Sequence, residues 1–409
     1  MTTAARRHDD ERHALPDLAP RSDEHWPYYA PDEIEAVSAV LRSGKVNQWT
    51  GPEVFAFEEA LARRFGGGQG IALANGSVAL ELALRAFGIG PGDEVVVSPR
   101  SFVASAYCAM LVGATPVFAD VDPDSGNITA GTIDRVLTGR TRAIIPVHLA
   151  GWPADMPSIM ALATERGITV IEDCAQAHGA EIEGQSVGSF GDAAAFSFCQ
   201  DKIISTGGEG GFVSFRGADA WSWAWSFKDH GKNRDKMRQP NPSPGQFRWV
   251  HDMVGTNWRL PGTLAAIGLT QLAKLDEWRG ARSRNAQIYV DALRQVPGLR
   301  VPLPAEGARH AFYKLYFYLD RPPEAAGALR TRILERATEQ GLRVFSGSCS
   351  EIYREKAFAD LPQPDCRVAH ELGETSLMVE VHPTLRPDLL ERRAERLAQI
   401  IGQVLNDAD

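Results

Sequence analysis

The chain has 409 residues, 44% hydrophobic and 23% charged, with a formal net charge of −9 at pH 7. That length and composition suit a soluble globular protein with one large domain and a smaller one, and the acidic balance argues against the basic face that nucleic-acid binding needs. Five cysteines, at positions 108, 174, 199, 349 and 366, form no CxxC pair, so reduced thiols in a cytoplasmic protein fit better than a disulfide framework, and no metal site is expected.

Residues 1–25 are charged, carry Pro16 and Pro20 and are poor in apolar groups, which predicts a flexible N-terminal tail without a secretory signal. From Pro31 the pattern alternates. Helices are expected over Asp32 to Leu41, Val54 to Phe65 and Ser77 to Phe87, with a short buried strand from Gly70 to Ala74. Compact β-rich runs follow at Glu94 to Ser98, Thr115 to Ala119, Ala143 to Val147, Ile168 to Ile171, Ala193 to Phe198 and Gly211 to Phe215. The uncharged stretch from Phe102 to Ala119 is broken at Gly113 and Pro116, so it reads as a buried helix and a strand, and no membrane span is expected. Trp221, Trp223 and Trp225 fall in a helix and read as core packing, and a Lys-, Arg-, Asn- and Pro-rich loop from Gly231 to Gly245 suggests mobility or shaping by a partner subunit. Leu264 to Trp278 and Ser283 to Val296 read as two helices. An aromatic strand (Ala311 to Leu319), a helix (Ala325 to Gln340), a strand (Leu377 to Val381) and a closing helix (Pro387 to Leu405) complete the chain.

These runs predict an α/β fold: a large domain over residues 26–280 with a mostly parallel central sheet, and a smaller C-terminal α+β domain over 281–409. Ligands of such sheets sit outside the carboxyl ends of the strands. Asp173 stands there, two residues after an apolar run; alone it could simply cap a helix. Gln176 follows one turn later, whereas His178 reads as structural. Ser197 ends another run, Lys202 lies five residues on, and the Gly207 to Gly211 turn leads into the next strand. Gly76 and Ser77 open a helix after a strand, where free N–H groups and the helix dipole can hold a phosphate. Phe102 could stack on a ring, or be an ordinary core aromatic. An amine able to form a Schiff base, an acid able to hold a pyridinium and a phosphate-sized turn together suggest pyridoxal 5'-phosphate.

With these residues assembled, the chain from about residue 27 onward resembles the DegT/DnrJ/EryC1/StrS sugar aminotransferases, which have the aspartate-aminotransferase-like fold (fold type I). The matching stretches include Ser43 to Gly51, Ala74 to Leu80, Gly90 to Val95, Val147 to Trp152, Ile171 to Gly179 and Gly207 to Gly211. The resemblance implies Lys202 as the Schiff-base lysine, Asp173 at the ring nitrogen and Gln176 near the ring hydroxyl. It also implies Gly76, Ser77 and Ser197 at the phosphate and Phe102 stacked on the ring. Asn257 matches an asparagine that reaches the neighbouring subunit's phosphate, so a homodimer with shared sites is implied. Related dehydratases carry histidine in place of the lysine, so Lys202 points to amine transfer. The expected reaction moves an amino group from L-glutamate or glutamine to a nucleotide-activated ketosugar; a keto-cyclitol acceptor and a non-catalytic regulatory PLP-binding protein are the alternatives. Pro261 and Gly262 depart from the family, where Thr and an acidic residue usually stand. Proline at an early helical position leaves the following helix intact.

Overall fold

The computed structural model describes residues 18–66, 68–240 and 245–408. Helix α1 (Pro31–Ser43) begins with proline at its first position. The Glu33 carboxylate accepts the Ala30 N–H at 2.7 Å, and Gly44 ends the helix in the left-handed region at φ 69°. Helix α2 (Glu53–Phe65) precedes strand β1 (Gln69–Leu73), which runs into α3 (Gly76–Ala86). There follow β2 (Glu94–Val97), α4 (Ala104–Leu111), β3 (Thr115–Phe118), β4 (Thr141–Ile145), α5 (Met156–Arg166), β5 (Thr169–Asp173), β6 (Ala193–Ser197), β7 (Gly211–Phe215) and α6 (Ala218–Phe227).

The seven strands form one sheet in the order β1-β7-β6-β5-β4-β2-β3. Only β7 runs against its neighbours, so the sheet is mostly parallel, as the apolar runs predict. Alternate residues feed opposite faces. Ala193 and Ala195 of β6 join the cluster containing α3, α4, α5 and α6, whereas Ala194 and Phe196 join Phe57, Leu61 and Phe65 of α2 on the other side. With helices on both faces, the functional groups are confined to the strand ends.

The two helices expected between residues 264 and 296 are one. Helix α7 (Gly262–Leu293) runs unbroken for 32 residues, about 48 Å at the usual rise. Gly280 does not end it, because one glycine costs only about 1 kcal/mol against alanine; two residues later buried Arg282 donates to the carbonyls of Phe312 and Tyr313 at 3.3 Å. Pro261 sits just outside the helix as its N-cap, and the Gly262 N–H donates to Val46 O at 2.8 Å. The first half of α7 packs on the large sheet. Its second half, with Ala286, Tyr289, Val290 and Leu293, belongs to a separate core.

That second core surrounds an antiparallel sheet of β8 (Leu299–Arg300), β9 (Leu315–Leu319), β10 (Val344–Phe345) and β11 (Ser376–Val379), in the order β8-β9-β11-β10. Helices α8 (Pro323–Glu339), α9 (Arg367–Thr375) and α10 (Pro387–Asn406) accompany it. The aromatic strand is shorter than expected. Phe312 adopts φ 47°, and the N–H groups of Ala311 and Tyr313 turn to Gly151 O and Ala150 O at 2.9 Å instead of joining the sheet. Of the loop expected at 231–245, residues 241–244 lie outside the described residues, and a short helix, Arg234–Arg238, lies within it.

The N-terminal expectation needs correcting over residues 18–25; residues 1–17 lie outside the described residues. Leu18 is buried in the small-domain core. Glu24 is buried against Arg393 of α10, with carboxylate-to-guanidinium contacts of 2.7 and 2.8 Å, and also accepts the N–H groups of Arg21 and Arg386. Residues 18–29 therefore form a strap, which the few apolar residues of this segment gave no sign of: one leucine and one carboxylate anchor it. Burial pushes the Glu24 carboxyl up, but the hydrogen bonds and charge of Arg393 outweigh it and hold the pKa at about 2. A depressed carboxyl contributes stability above its unfolded pKa and loses it as pH falls toward its folded one. Glu24→Gln is expected to lower unfolding free energy by about 3 kcal/mol at pH 7. The gap between variant and wild type should shrink between pH 4.5 and about 2 in denaturation experiments.

Candidate active site

At the carboxyl edge of the sheet a cavity of about 700 Å³ opens, lined by Gly76, Ser77, Phe102, Asp173, Gln176, Ser197 and Lys202 together with Ser101, Ser105, Cys199, Asp201 and Glu209. Asp173 is the last residue of β5 and Ser197 the last of β6; the parallel pairing sets Asp173 level with Ala195, so Ser197 lies two residues further along the neighbouring strand, toward the same cavity. Asp173 is buried. Its Oδ2 accepts the Ser105 hydroxyl at 2.7 Å and its Oδ1 the Ala175 N–H at 3.1 Å, both neutral donors. Burial pushes its carboxyl up, and the two hydrogen bonds and the Lys202 charge only partly oppose this. A carboxylate held dry in this way is stabilised by a cation arriving from the cavity side.

The segment after Asp173 is a series of turns, not the helix start that one reading of Asp173 required. Those turns still carry Gln176 to the cavity. Its Oε1 accepts the Ala150 N–H at 2.7 Å, which orients the amide and leaves its nitrogen to donate. Ala150 reaches it by taking φ 57°. His178 points the other way, stacked against Phe196 and Phe198 at centroid distances of 5.9 and 5.5 Å. Desolvation, and then the nearby Lys202 charge, bring its pKa down to about 3, so it stays neutral.

Across the cavity, the Asn75 side chain caps α3 by accepting the Val78 N–H at 3.0 Å, leaving the first amides of that helix open. The helix end comes very close to β6 and β7. A Cβ on Gly76 would lie 2.6 Å from Ser197 Cβ, and one on Gly211 would lie 2.2 Å from Asn75 O. The two glycines thus bring the helix N-terminus and the Ser197 hydroxyl into one anion-sized cradle.

Lys202 follows in the turn after β6. Its carbonyl accepts the Trp26 indole N–H at 2.8 Å, and its Nζ lies 3.4 Å from Asp201 Oδ1 and 4.9 Å from the centre of the Tyr313 ring. Phe102 borders the cavity with 65% of its surface exposed. Asn257 is not brought to this cavity. It is exposed, and its backbone pairs with Asp229, whose carboxylate binds Arg259 and Lys232.

Several site residues escape the sequence reading. Ser101 and Ser105 are four residues apart at the start of α4, their hydroxyls 3.0 Å from each other, and pass a hydrogen-bond chain to Asp173; that spacing was the available signal. Trp26 comes from the N-terminal strap and left none, whereas Tyr313 belongs to the aromatic stretch Phe312 to Tyr316, which the sequence places on the substrate side. His148, Glu172 and Cys174 gather within 4.8 Å. Glu172 accepts three backbone N–H groups and the His148 Nε2 proton, and His148 Nδ1 accepts the Ala154 N–H, so these two side chains tie the end of β5 to the loops around it.

An acid for a ring nitrogen, an amide for a ring oxygen, a phosphate cradle and a facing amine fit pyridoxal 5'-phosphate. Comparison with known proteins agrees. A profile of the DegT/DnrJ/EryC1/StrS aminotransferase family matches residues 27–398. The chain is similar to a UDP-N-acetyl-3-dehydro-alpha-D-glucosamine 3-aminotransferase of Acidithiobacillus ferrooxidans, 38% identical over 86% of this chain and 88% of that protein. It is also similar to an L-glutamine:2-deoxy-scyllo-inosose aminotransferase of Streptomyces fradiae, 38% identical over 74% and 71%. The crystal structure of an aminotransferase from Psychrobacter cryohalolentis superposes with a TM-score of 0.88 at 45% identity, covering 94% of this chain and 98% of that one. Gly76→Ala is expected to push Ser197 out of the cradle and weaken pyridoxal phosphate binding at least about tenfold, the cost of one good hydrogen bond to a charged group; fluorescence titration of the cofactor-free protein measures it.

Proposed function

The chain belongs to the DegT/DnrJ/EryC1/StrS aminotransferase family and is a pyridoxal-phosphate-dependent aminotransferase, and from that premise we propose that it moves an amino group from L-glutamate or glutamine to the keto carbon of a nucleotide-activated sugar. The observation that carries this reading is the placement of Lys202 Nζ across one cavity from buried Asp173 and the Gly76 cradle. The bound cofactor supplies an electron sink for the carbon that loses its proton.

The protein's part is to orient and to handle protons. Asp173 would hold the ring nitrogen and Gln176 the ring oxygen; Gly76, Ser77 and Ser197 would hold the phosphate, and Phe102 would cover the ring. Lys202 Nζ acts as the base that takes the proton from the donor's Cα. Ser105 holds Asp173 in line by its hydrogen bond.

The sugar reading is supported by the relative that matches over most of both chains and is named for a UDP-sugar substrate. The keto-cyclitol reading has its own support in an equally identical relative named for an inosose, which covers less of each chain. Asn257 serves the partner subunit's phosphate in this proposal. It is exposed and lies beside a segment in which Trp249 and Val254 show 81% and 87% of their surface, as an interface between two copies requires. Among the described residues no helix is long and apolar enough to cross a membrane, and the five cysteines are free, which supports a cytoplasmic site of action.

Lys202→Ala is expected to lower turnover at least about 10³-fold, from loss of the proton-transferring amine. Mixing it with Asn257→Ala should recover activity that neither variant has alone, because one site of the mixed dimer keeps both residues; no recovery would refute the shared site. Incubation with ¹⁵N-labelled glutamate and a panel of nucleotide ketosugars and keto-cyclitols identifies the acceptor by mass. Label appearing only in cyclitols would overturn the sugar reading.

A further inference from the structure

Trp26 does not line the cavity, yet it is bonded to the residue that carries the amine. Lys202 lies between β6 and β7, in a stretch that is neither helix nor strand, so no regular ladder fixes its main chain. Its N–H donates to Cys199 O at 3.1 Å, and its carbonyl accepts the Trp26 indole N–H at 2.8 Å. Three residues on, the Ser205 N–H donates to Gln271 Oε1 at 2.9 Å, and the Ser205 hydroxyl meets the Tyr29 hydroxyl at 3.0 Å. Trp26 and Tyr29 both belong to the strap, which therefore grips the lysine turn at two points.

The indole is itself held from several sides. The Arg282 guanidinium lies over its ring at 4.9 Å, and Trp278 and His382 pack against it. Arg282 and Trp278 stand on α7, and His382 follows β11 in the small domain. Just before it in the strap, Glu24 is tied to Arg393, and the His25 carbonyl accepts the Thr384 hydroxyl at 2.9 Å. The N–H thus reaches the Lys202 carbonyl from elements of both domains.

From this geometry, and resting on the reading of Lys202 as the Schiff-base lysine, we propose that Trp26 is a positioning residue for the covalent hold on the cofactor: its N–H fixes the Lys202 carbonyl and with it the point from which the side chain reaches the cofactor's aldehyde carbon. In forming that hold, Nζ bonds to the aldehyde carbon and the carbon–oxygen bond breaks. The oxygen leaves as water with the two amine protons, and nothing is oxidised or reduced.

Contacts at the amine cannot serve the same purpose. Asp201 Oδ1 lies 3.4 Å from Nζ and Asp201 Oδ2 accepts the Tyr313 hydroxyl, but a contact to the nitrogen changes once that nitrogen acquires a carbon. The Trp26 contact is to the main chain and is the same before and after. A misplacement of about 1 Å can cost about 10²-fold in a reaction between held groups. The anchor of a long side chain therefore matters although it touches no reacting atom.

The test separates the covalent hold from the rest of the site. Full-length protein is loaded either with pyridoxal phosphate, which can bond to Lys202, or with pyridoxamine phosphate, which cannot. Release of each is timed by rapid dilution and filtration, and the ratio of the two rates reads the bond to Lys202. Trp26→Phe keeps an aromatic ring but removes the N–H. It is expected to speed pyridoxal phosphate release at least about fivefold, the share of one hydrogen bond, and to leave pyridoxamine phosphate release unchanged. Normal retention of pyridoxamine phosphate also shows that the variant is folded at the site. An unchanged ratio overturns the proposal, whether both rates rise together or neither moves. Lys202→Ala sets the floor, since it has no amine to bond; a wild-type ratio in that variant would sink the Schiff-base reading of Lys202 instead.

Discussion

The dry carboxylate of Asp173 is the constraint around which the rest of the site is arranged. A buried charge with neutral hydrogen-bond donors is costly until a cation meets it. The parallel sheet makes the placement possible, since β5 ends at Asp173 level with Ala195 and the neighbouring β6 runs two residues further to Ser197 on the same cavity. The turns after β5 then bring Gln176 round to the same ring-sized space, and α4 supplies the hydroxyl that stops Asp173 from swinging away. An uncharged ligand would leave the carboxylate without its counter-charge. A cationic heteroaromatic ring with a phosphate tail satisfies both ends of the cavity.

The fold's class and the site's composition were legible because they rest on local patterns. Short apolar runs separated by helices specify a covered parallel sheet, and seven of the eight expected site residues line one cavity because they fall at strand ends or in the turns just beyond them. What was hidden depended on distant pairing. Nothing near Tyr313 announces that φ 47° at Phe312 takes this segment out of its strand and over to Ala150. Leu18 and Glu24 look like tail residues until α10 is present to receive them. Asn257 stands apart from the cavity of its own chain.

Two segments remote in sequence converge on the lysine turn. The strap reaches Lys202 through the Trp26 indole on the carbonyl, while the small domain reaches it through Tyr313 and Asp201 on the side chain. Trp26 itself lies edge-on to Trp278 at 5.0 Å and stacks on His382 at 6.1 Å, so it joins α7 to the small domain as well. The amine is thus held relative to both cores, and the spacing between Lys202 and Asp173 depends on how they are assembled.

Helix α7 contributes its first half to one core and its second half to the other without a break in its hydrogen bonding. Such an element makes the two cores thermodynamically dependent on each other. Melting the small-domain layer uncovers Ala286, Tyr289, Val290 and Leu293 and frays the helix toward the turns that cover the large sheet. On heating, the two cores are therefore expected to unfold together, because the helix that passes from one to the other cannot melt in one without loosening the other.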